Sequence, residues 1–211
     1  ASSNGSVPLI THLGNELSQY LAVFRPDAAI TTTSRTVYLL LPGGESESVM
    51  RLINGALSAI QLAFKDQIRA AISHSSTQPA DLPSMRREVD DILRVTTVNP
   101  DFPSVAKLAD VHARVLLDHV ADELIREPML KHPGIQAMLA YDLENKTNYA
   151  DSVVAWLDAV GDIALAAGSL FIHANTLRYR LRRVKDLFNI TLDNPDDRLA
   201  VWMQLRLVLP S

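Results

Sequence analysis

Between Phe171 and Phe188 the sequence sets Arg178, Arg180, Arg182, Arg183 and Lys185 against a single acid, Asp186. Cationic groups gathered on one segment, with no acid four residues before any of them, are suited to binding phosphate. At about 100° per residue, Leu177, Leu181, Val184 and Phe188 fall on one stripe of a helix over 174–188. The opposite face carries Asn175, Tyr179, Arg182 and Asp186, flanked by Thr176 and Arg183 on one side and by Arg178 and Lys185 on the other. A helix that reads DNA contacts bases mainly through its N-terminal turns. Asn175, Tyr179 and Arg182 are therefore the base-edge candidates, with arginine suited to guanine and asparagine to adenine. Thr176, Arg178 and Arg183 are placed for backbone phosphates. Arg180 lies nearer the apolar stripe and reads as half of an internal ion pair, while Asp186 falls beyond the deepest part of a groove.

The plainer reading of such a run is a solvated, arginine-rich surface helix. The residues just before it argue otherwise. Over 163–170 the side chains Ala164, Ala166, Ala167 and Gly168 are small enough for a short helix to cross closely over its neighbour, and Phe171-Ile172-His173 makes a tight connection. A short helix, a tight turn and a longer basic helix are the parts of a helix-turn-helix.

Other chemistries find less support. The chain has no cysteine, which excludes disulfides, thiolate catalysis and cysteine-ligated metal, and fits a reducing compartment. Pro42-Gly43-Gly44-Glu45-Ser46 follows an expected strand but lacks the lysine and glycine spacing of a phosphate loop, so it reads as a turn and helix cap. His112, Asp118, His119, Asp122 and Glu123 crowd one segment, yet the two histidines are two helical turns apart rather than one, which favours a solvated face over a metal site. No Ser/His/Asp set or carboxylate pair has the context of an active centre. The expectation is a protein that is not an enzyme and needs no cofactor or metal.

The elements around the basic helix follow from periodicity. Leu9, Leu13, Leu17, Tyr20, Leu21 and Phe24 recur at helical spacing before Arg25-Pro26-Asp27. A β-branched and aliphatic stretch from Ala29 to Leu41 reads as a hairpin turning at Ser34-Arg35. Val49, Leu52, Ile53, Ala56, Leu57, Ile60, Ala63 and Phe64 define an amphipathic helix that should cover a sheet. A third strand is expected within 67–73, a helix near 85–95 and an edge strand at 105–108. Helices are expected over 111–126, 134–144, 148–160, 163–170, 174–188 and 195–209. Asn194, Pro195, Asp196 and Asp197 form a good helix start, with Leu199, Trp202, Met203 and Leu205 packing that last helix.

Gly161-Asp162 with Ala166-Ala167, the string His173-Ala174-Asn175-Thr176-Leu177-Arg178-Tyr179-Arg180-Leu181-Arg182-Arg183-Val184, and Leu192-Asp193-Asn194-Pro195-Asp196-Asp197-Arg198-Leu199 together resemble the C-terminal helix-turn-helix of the PucR/CdaR family of bacterial transcriptional regulators. The resemblance runs without a gap from about Ala150 to Leu209. It implies sequence-specific binding to double-stranded DNA, with His173 joining the site, and a degenerate GGDEF-like domain before it, with which residues 28–110 agree in element order. Diguanylate cyclase activity is not expected, since the two glycines at 43–44 lack the acidic-acidic-Phe continuation. The resemblance also implies a sensory domain upstream, and a chain that opens on Ala1 without Met reads as a piece of a longer regulator.

The fold class is thus α+β: a GGDEF-like α/β regulatory unit over 1–110, a helical connector over 111–147 and an all-helical DNA-binding domain over 148–211. The net charge of −4 hides this division. Residues 1–150 hold 13 basic and 17 acidic side chains, whereas 151–211 hold 7 of each. No apolar run approaches the roughly 20 residues of a membrane span, so a cytoplasmic location is expected. Because one helix-turn-helix buries little area, a homodimer on DNA is expected. An effector, if there is one, would act through a domain outside this chain. A different class of function stays open: a small-molecule or nucleotide sensor in which the α/β unit binds the ligand and the helical end meets a protein partner.

Overall fold

The computed structural model describes residues 6–43, 46–61 and 68–209. Ala63, Phe64 and Gln67, and Gly44-Glu45 of the expected turn, lie outside them. Two compact units divide the chain, residues 1–115 and 116–211.

In the first unit, helix α1 (Ser6–Phe24) leads into the hairpin of β1 (Ala29–Thr32) and β2 (Val37–Leu40). The strands are antiparallel with Thr32 opposite Val37, and the Thr33 N–H bonded to the Thr36 carbonyl closes the turn around Ser34-Arg35. Helix α2 (Ser46–Gln61) buries Ile53, Ala56, Leu57 and Ile60, the face expected of it. The third strand is shorter than expected, β3 (Ala70–Ile72), and pairs in parallel with β4 (Val105–Lys107) across helix α3 (Leu82–Val98). Ile53 and Leu57 of α2 pack on Val105, and Ile92 and Val95 of α3 on Ala106. Among the described residues the strands therefore form two separate two-stranded sheets.

Helix α4 (Leu108–Arg126) begins three residues earlier than expected. The second unit continues with α5 (Pro133–Asn145), α6 (Tyr149–Asp158), α7 (Ile163–Ser169), α8 (Ala174–Phe188) and α9 (Pro195–Val208). One core joins Ile135 and Met138 of α5, Val153 and Leu157 of α6, Val184 and Phe188 of α8, and Val201 and Leu205 of α9. A second joins Ala166 and Ala167 of α7 to Leu177 of α8. The α5 to α6 corner is fixed from the side: the Asp142 carboxylate accepts from Tyr149 N–H (2.9 Å) and Ala150 N–H (2.8 Å), satisfying backbone donors of the first turn of α6. Asn194 caps α9 as expected, accepting from the Asp196 N–H at 2.8 Å with Pro195 at its start. Leu199 is a correction. It stands 54% exposed, because the buried stripe of α9 runs through Val201 and Leu205 instead.

No helix among the described residues is long and apolar enough to cross a membrane. No group of three or more His, Asp or Glu among them could hold a metal ion.

Two glycines of the helical unit make opposite predictions. A Cβ on Gly134 would collide with the Phe188 carbonyl oxygen, a backbone atom that cannot swing aside, whereas one on Gly168 would meet nothing within 4 Å. Gly134→Ala should destabilise the protein by about 1–3 kcal/mol as overpacking does. Gly168→Ala, on a helix, should stabilise it by up to roughly 1 kcal/mol. Urea denaturation of the two variants checks both.

Candidate nucleic-acid interface

Two junctions of the same design aim α8. At the end of α6, Val160 N–H bonds the Leu157 carbonyl (3.0 Å) and Gly161 N–H the Trp156 carbonyl (2.9 Å). At the end of α7, Phe171 N–H bonds the Gly168 carbonyl (3.1 Å) and Ile172 N–H the Ala167 carbonyl (3.0 Å). Both are Schellman motifs, in which one left-handed residue reverses the chain and uses up the last helical carbonyls. Val160 (φ +53°) and Phe171 (φ +55°) are those residues. Two positions after each comes the cap of the next helix. Asp162 accepts from Ala164 N–H (2.7 Å) and Leu165 N–H (3.0 Å), and His173 Nδ1 accepts from Asn175 N–H (3.2 Å). Gly161, at φ +86°, lies over the Trp156 ring, and its carbonyl accepts from Trp156 Nε1 at 2.9 Å.

On α8 the stripe is buried as the periodicity requires. Leu177 and Val184 are fully enclosed, Phe188 nearly so, and Leu181 partly. Opposite it, Asn175, Thr176, Arg178, Tyr179 and Arg182 are exposed, as is the capping His173. With Nδ1 accepting a backbone N–H, the neutral His173 ring carries its proton on Nε2, a donor free to face an anion. The Arg178 guanidinium donates to the Asn175 carboxamide oxygen at 2.9 Å, which turns the amide NH2 outward. Arg183 differs from its neighbours: it is half-buried, and its Nε is shielded without an acceptor among the described residues.

The other two cations are engaged by partners within the chain. Lys185 pairs with Asp193 at 2.8 Å, and their mutual hydrogen bond raises the lysine pKa and lowers the aspartate's. Nothing in the spacing of α8 signals this partner, which lies beyond its end. Arg180 departs from the ion pair expected of it: its guanidinium donates to the buried Ser152 hydroxyl at 3.1 Å, a neutral acceptor, and Ser152 in turn donates to the Asn148 carbonyl at 2.5 Å. The small residues of α7 need a second correction. Ala166 and Ala167 are buried and allow the close crossing, but Ala164 and Gly168 face outward, because a seven-residue helix presents under two turns to its neighbour.

Residues 149–207 match the PucR C-terminal helix-turn-helix domain. Over 67 residues, 32% of this chain, the sequence is 28% identical to the DNA-binding transcriptional activator AdeR of Bacillus subtilis (strain 168), of which the match covers 16%. Over 65 residues, 31% of this chain, it is 35% identical to the carbohydrate diacid regulator of Escherichia coli (strain K12), of which it covers 17%. Among solved structures, a regulator of polyketide synthase expression from Bifidobacterium adolescentis is similar over 93% of this chain and 74% of its own, with 17% identity and a TM-score of 0.38.

Ser152→Ala should leave the half-buried Arg180 guanidinium without its acceptor and cost about 1–3 kcal/mol. Adding Arg180→Met should recover part of that loss, since removing both partners leaves nothing unsatisfied. A double-mutant cycle by denaturant unfolding measures it, and strictly additive effects would show that the bond contributes nothing.

Proposed function

We propose that this chain, whose residues 149–207 form a PucR-type helix-turn-helix domain, belongs to a sequence-specific DNA-binding transcriptional regulator that lays α8 in the major groove. The observation that carries this reading is the division of α8 into a buried apolar stripe and an opposite face on which Asn175, Tyr179 and Arg182 stand exposed around its first turns. Arg182 is suited to the two acceptors of guanine, and Asn175 to adenine, its amide held by Arg178. Thr176, Arg178, Arg183 and the Nε2 of His173 supply the phosphate contacts. Two copies of the chain meet two half-sites about 34–36 Å apart. The α/β unit takes the part of the GGDEF-like regulatory domain, and an effector acts through a sensory domain outside this chain. No step of this scheme is catalytic.

One observation favours a second reading, in which the α/β unit is itself a small-molecule sensor. A cleft of about 1500 Å³ lies in the first unit, with Leu39, Ile53 and Leu57 on its apolar wall and Tyr38, Glu88 and Asp90 among its polar groups. Tyr38 donates to Asp90 at 2.6 Å beneath the Arg86 guanidinium, and burial pushes the phenol pKa up.

Titration of duplexes selected from a random pool tests the first reading. Binding should weaken steeply with salt. Arg182→Ala should lose about 1–3 kcal/mol on the selected site and far less on a scrambled duplex. Failure of the wild type to bind any duplex at low salt, or an Arg182→Ala variant equal to wild type, overturns the reading. Thermal shift with purines, cyclic dinucleotides and organic acids tests the second.

A further inference from the structure

The turn that aims α8 carries a cost that another residue would avoid. Phe171 occupies the left-handed position of its Schellman motif, where a Cβ crowds the following carbonyl oxygen and glycine is the least strained choice. Its ring is 97% exposed, so no burial within the unit offsets that strain. The other non-glycine residues with positive φ among those described are Lys146, Asn189 and Val160, and only Val160 is also apolar and exposed. Two further facts locate the ring. Phe171 precedes the capping His173 by two residues, which roots it on hydrogen-bonded backbone just before the N-terminal end of α8. Helix α7 carries no cation, so the residues leading into the turn add no charged group for phosphate beyond the capping His173. An aromatic ring at the mouth of a groove instead matches the apolar parts of the duplex, the thymine C5-methyl and the deoxyribose.

We propose that Phe171 is a DNA contact, its ring packing on the apolar edge of the duplex beside the base pairs that α8 reads. This rests on the regulator reading, and the test separates the two. The full chain is compared as wild type, Phe171→Gly, Phe171→Ala and Val160→Gly, by melting and by titration of the selected duplex at several salt concentrations. Both glycine variants relieve the same strain and should melt higher, by about 2–4 °C in a chain of this length. Val160→Gly should bind as wild type does. Phe171→Gly and Phe171→Ala should bind about 3- to 10-fold more weakly, the range of a modest apolar contact, with an unchanged salt slope, because losing an apolar contact releases no counterion. Replacing thymines with uracil one at a time then identifies the surface touched. If it is the methyl group, one replacement weakens the wild type by the same factor and leaves Phe171→Gly unaffected. If it is deoxyribose, no replacement matters, and the loss is equal on every sequence. Phe171 variants that bind bare DNA as tightly as wild type overturn the contact. A wild type that binds no duplex overturns the regulator reading and this contact with it.

Discussion

The helical unit depends on how closely α7 can approach α8. Ala166 and Ala167 are enclosed against Leu177, so a larger side chain at either position would have to displace the packed helices. Interiors are packed to crystal-like density, so the rest of the geometry follows from this contact. It sets the plane in which the turn must close, and it buries the Leu177 side of α8. The side carrying Asn175, Tyr179 and Arg182 is thereby left facing outward. The Schellman and cap junctions at 160–162 and 171–173 then fix the direction of each helix without a long loop whose ordering would cost entropy.

Charge is partitioned by the same packing. Five cations lie on one helix, yet packing assigns them different tasks. Arg180 is drawn inward to Ser152, Lys185 is neutralised by Asp193, and the exposed Arg178 also orients Asn175. Arg182 projects from the exposed face, and Arg183 is half-buried beside it. The Lys185–Asp193 pair is fully exposed and responds to pH in a defined sense. The aspartate pKa is lowered by folding, so its contribution is present above the unfolded carboxylate range and is lost as pH falls through the folded value. The lysine pKa is raised, so its share is lost only as pH rises through the alkaline range. Between these limits the last turn of α8 is held to the loop before α9.

Much of the interface was legible in the sequence because it depends on local periodicity. The stripe of Leu177, Leu181, Val184 and Phe188 needs only the helical repeat, and the cap at Asn194 needs only its neighbours. What was missed depends on contacts far along the chain. Arg180 meets Ser152, 28 residues away, and a helical wheel can say that it points inward but cannot name an acceptor. Asp142 caps a helix to which it does not belong. Leu199 reads as core by hydropathy and is exposed, because the buried stripe of α9 runs through Val201 and Leu205, with Trp202 partly buried against the same core. Ala164 and Gly168 look like part of a close-packing set, but helix length decides which small residues face the neighbour. The α/β unit was legible in element order, whereas the division of its described strands into two sheets depends on pairing at long range.

The charge balance limits how such a unit can hold DNA. A chain with a net charge of −4 offers no long-range field to attract a polyanion, so binding must arise from groups at the contact itself. With Arg180 and Lys185 engaged internally, one copy presents few phosphate contacts, and each contributes a salt-dependent term of only about 0.9 in slope. Coulombic affinity is thus small per copy, and two consequences follow. In the proposed complex, contacts insensitive to salt, made by Asn175, Tyr179 or an apolar ring, would form a larger share of the total than in a strongly basic binder. In the proposed arrangement, a second copy on the same duplex would supply affinity through effective concentration rather than through added charge. The acidic α/β unit is compatible with the proposed arrangement and would also weaken binding to arbitrary sequence. Non-specific affinity is nearly all electrostatic, so the field that would strengthen every site equally is the term this chain lacks.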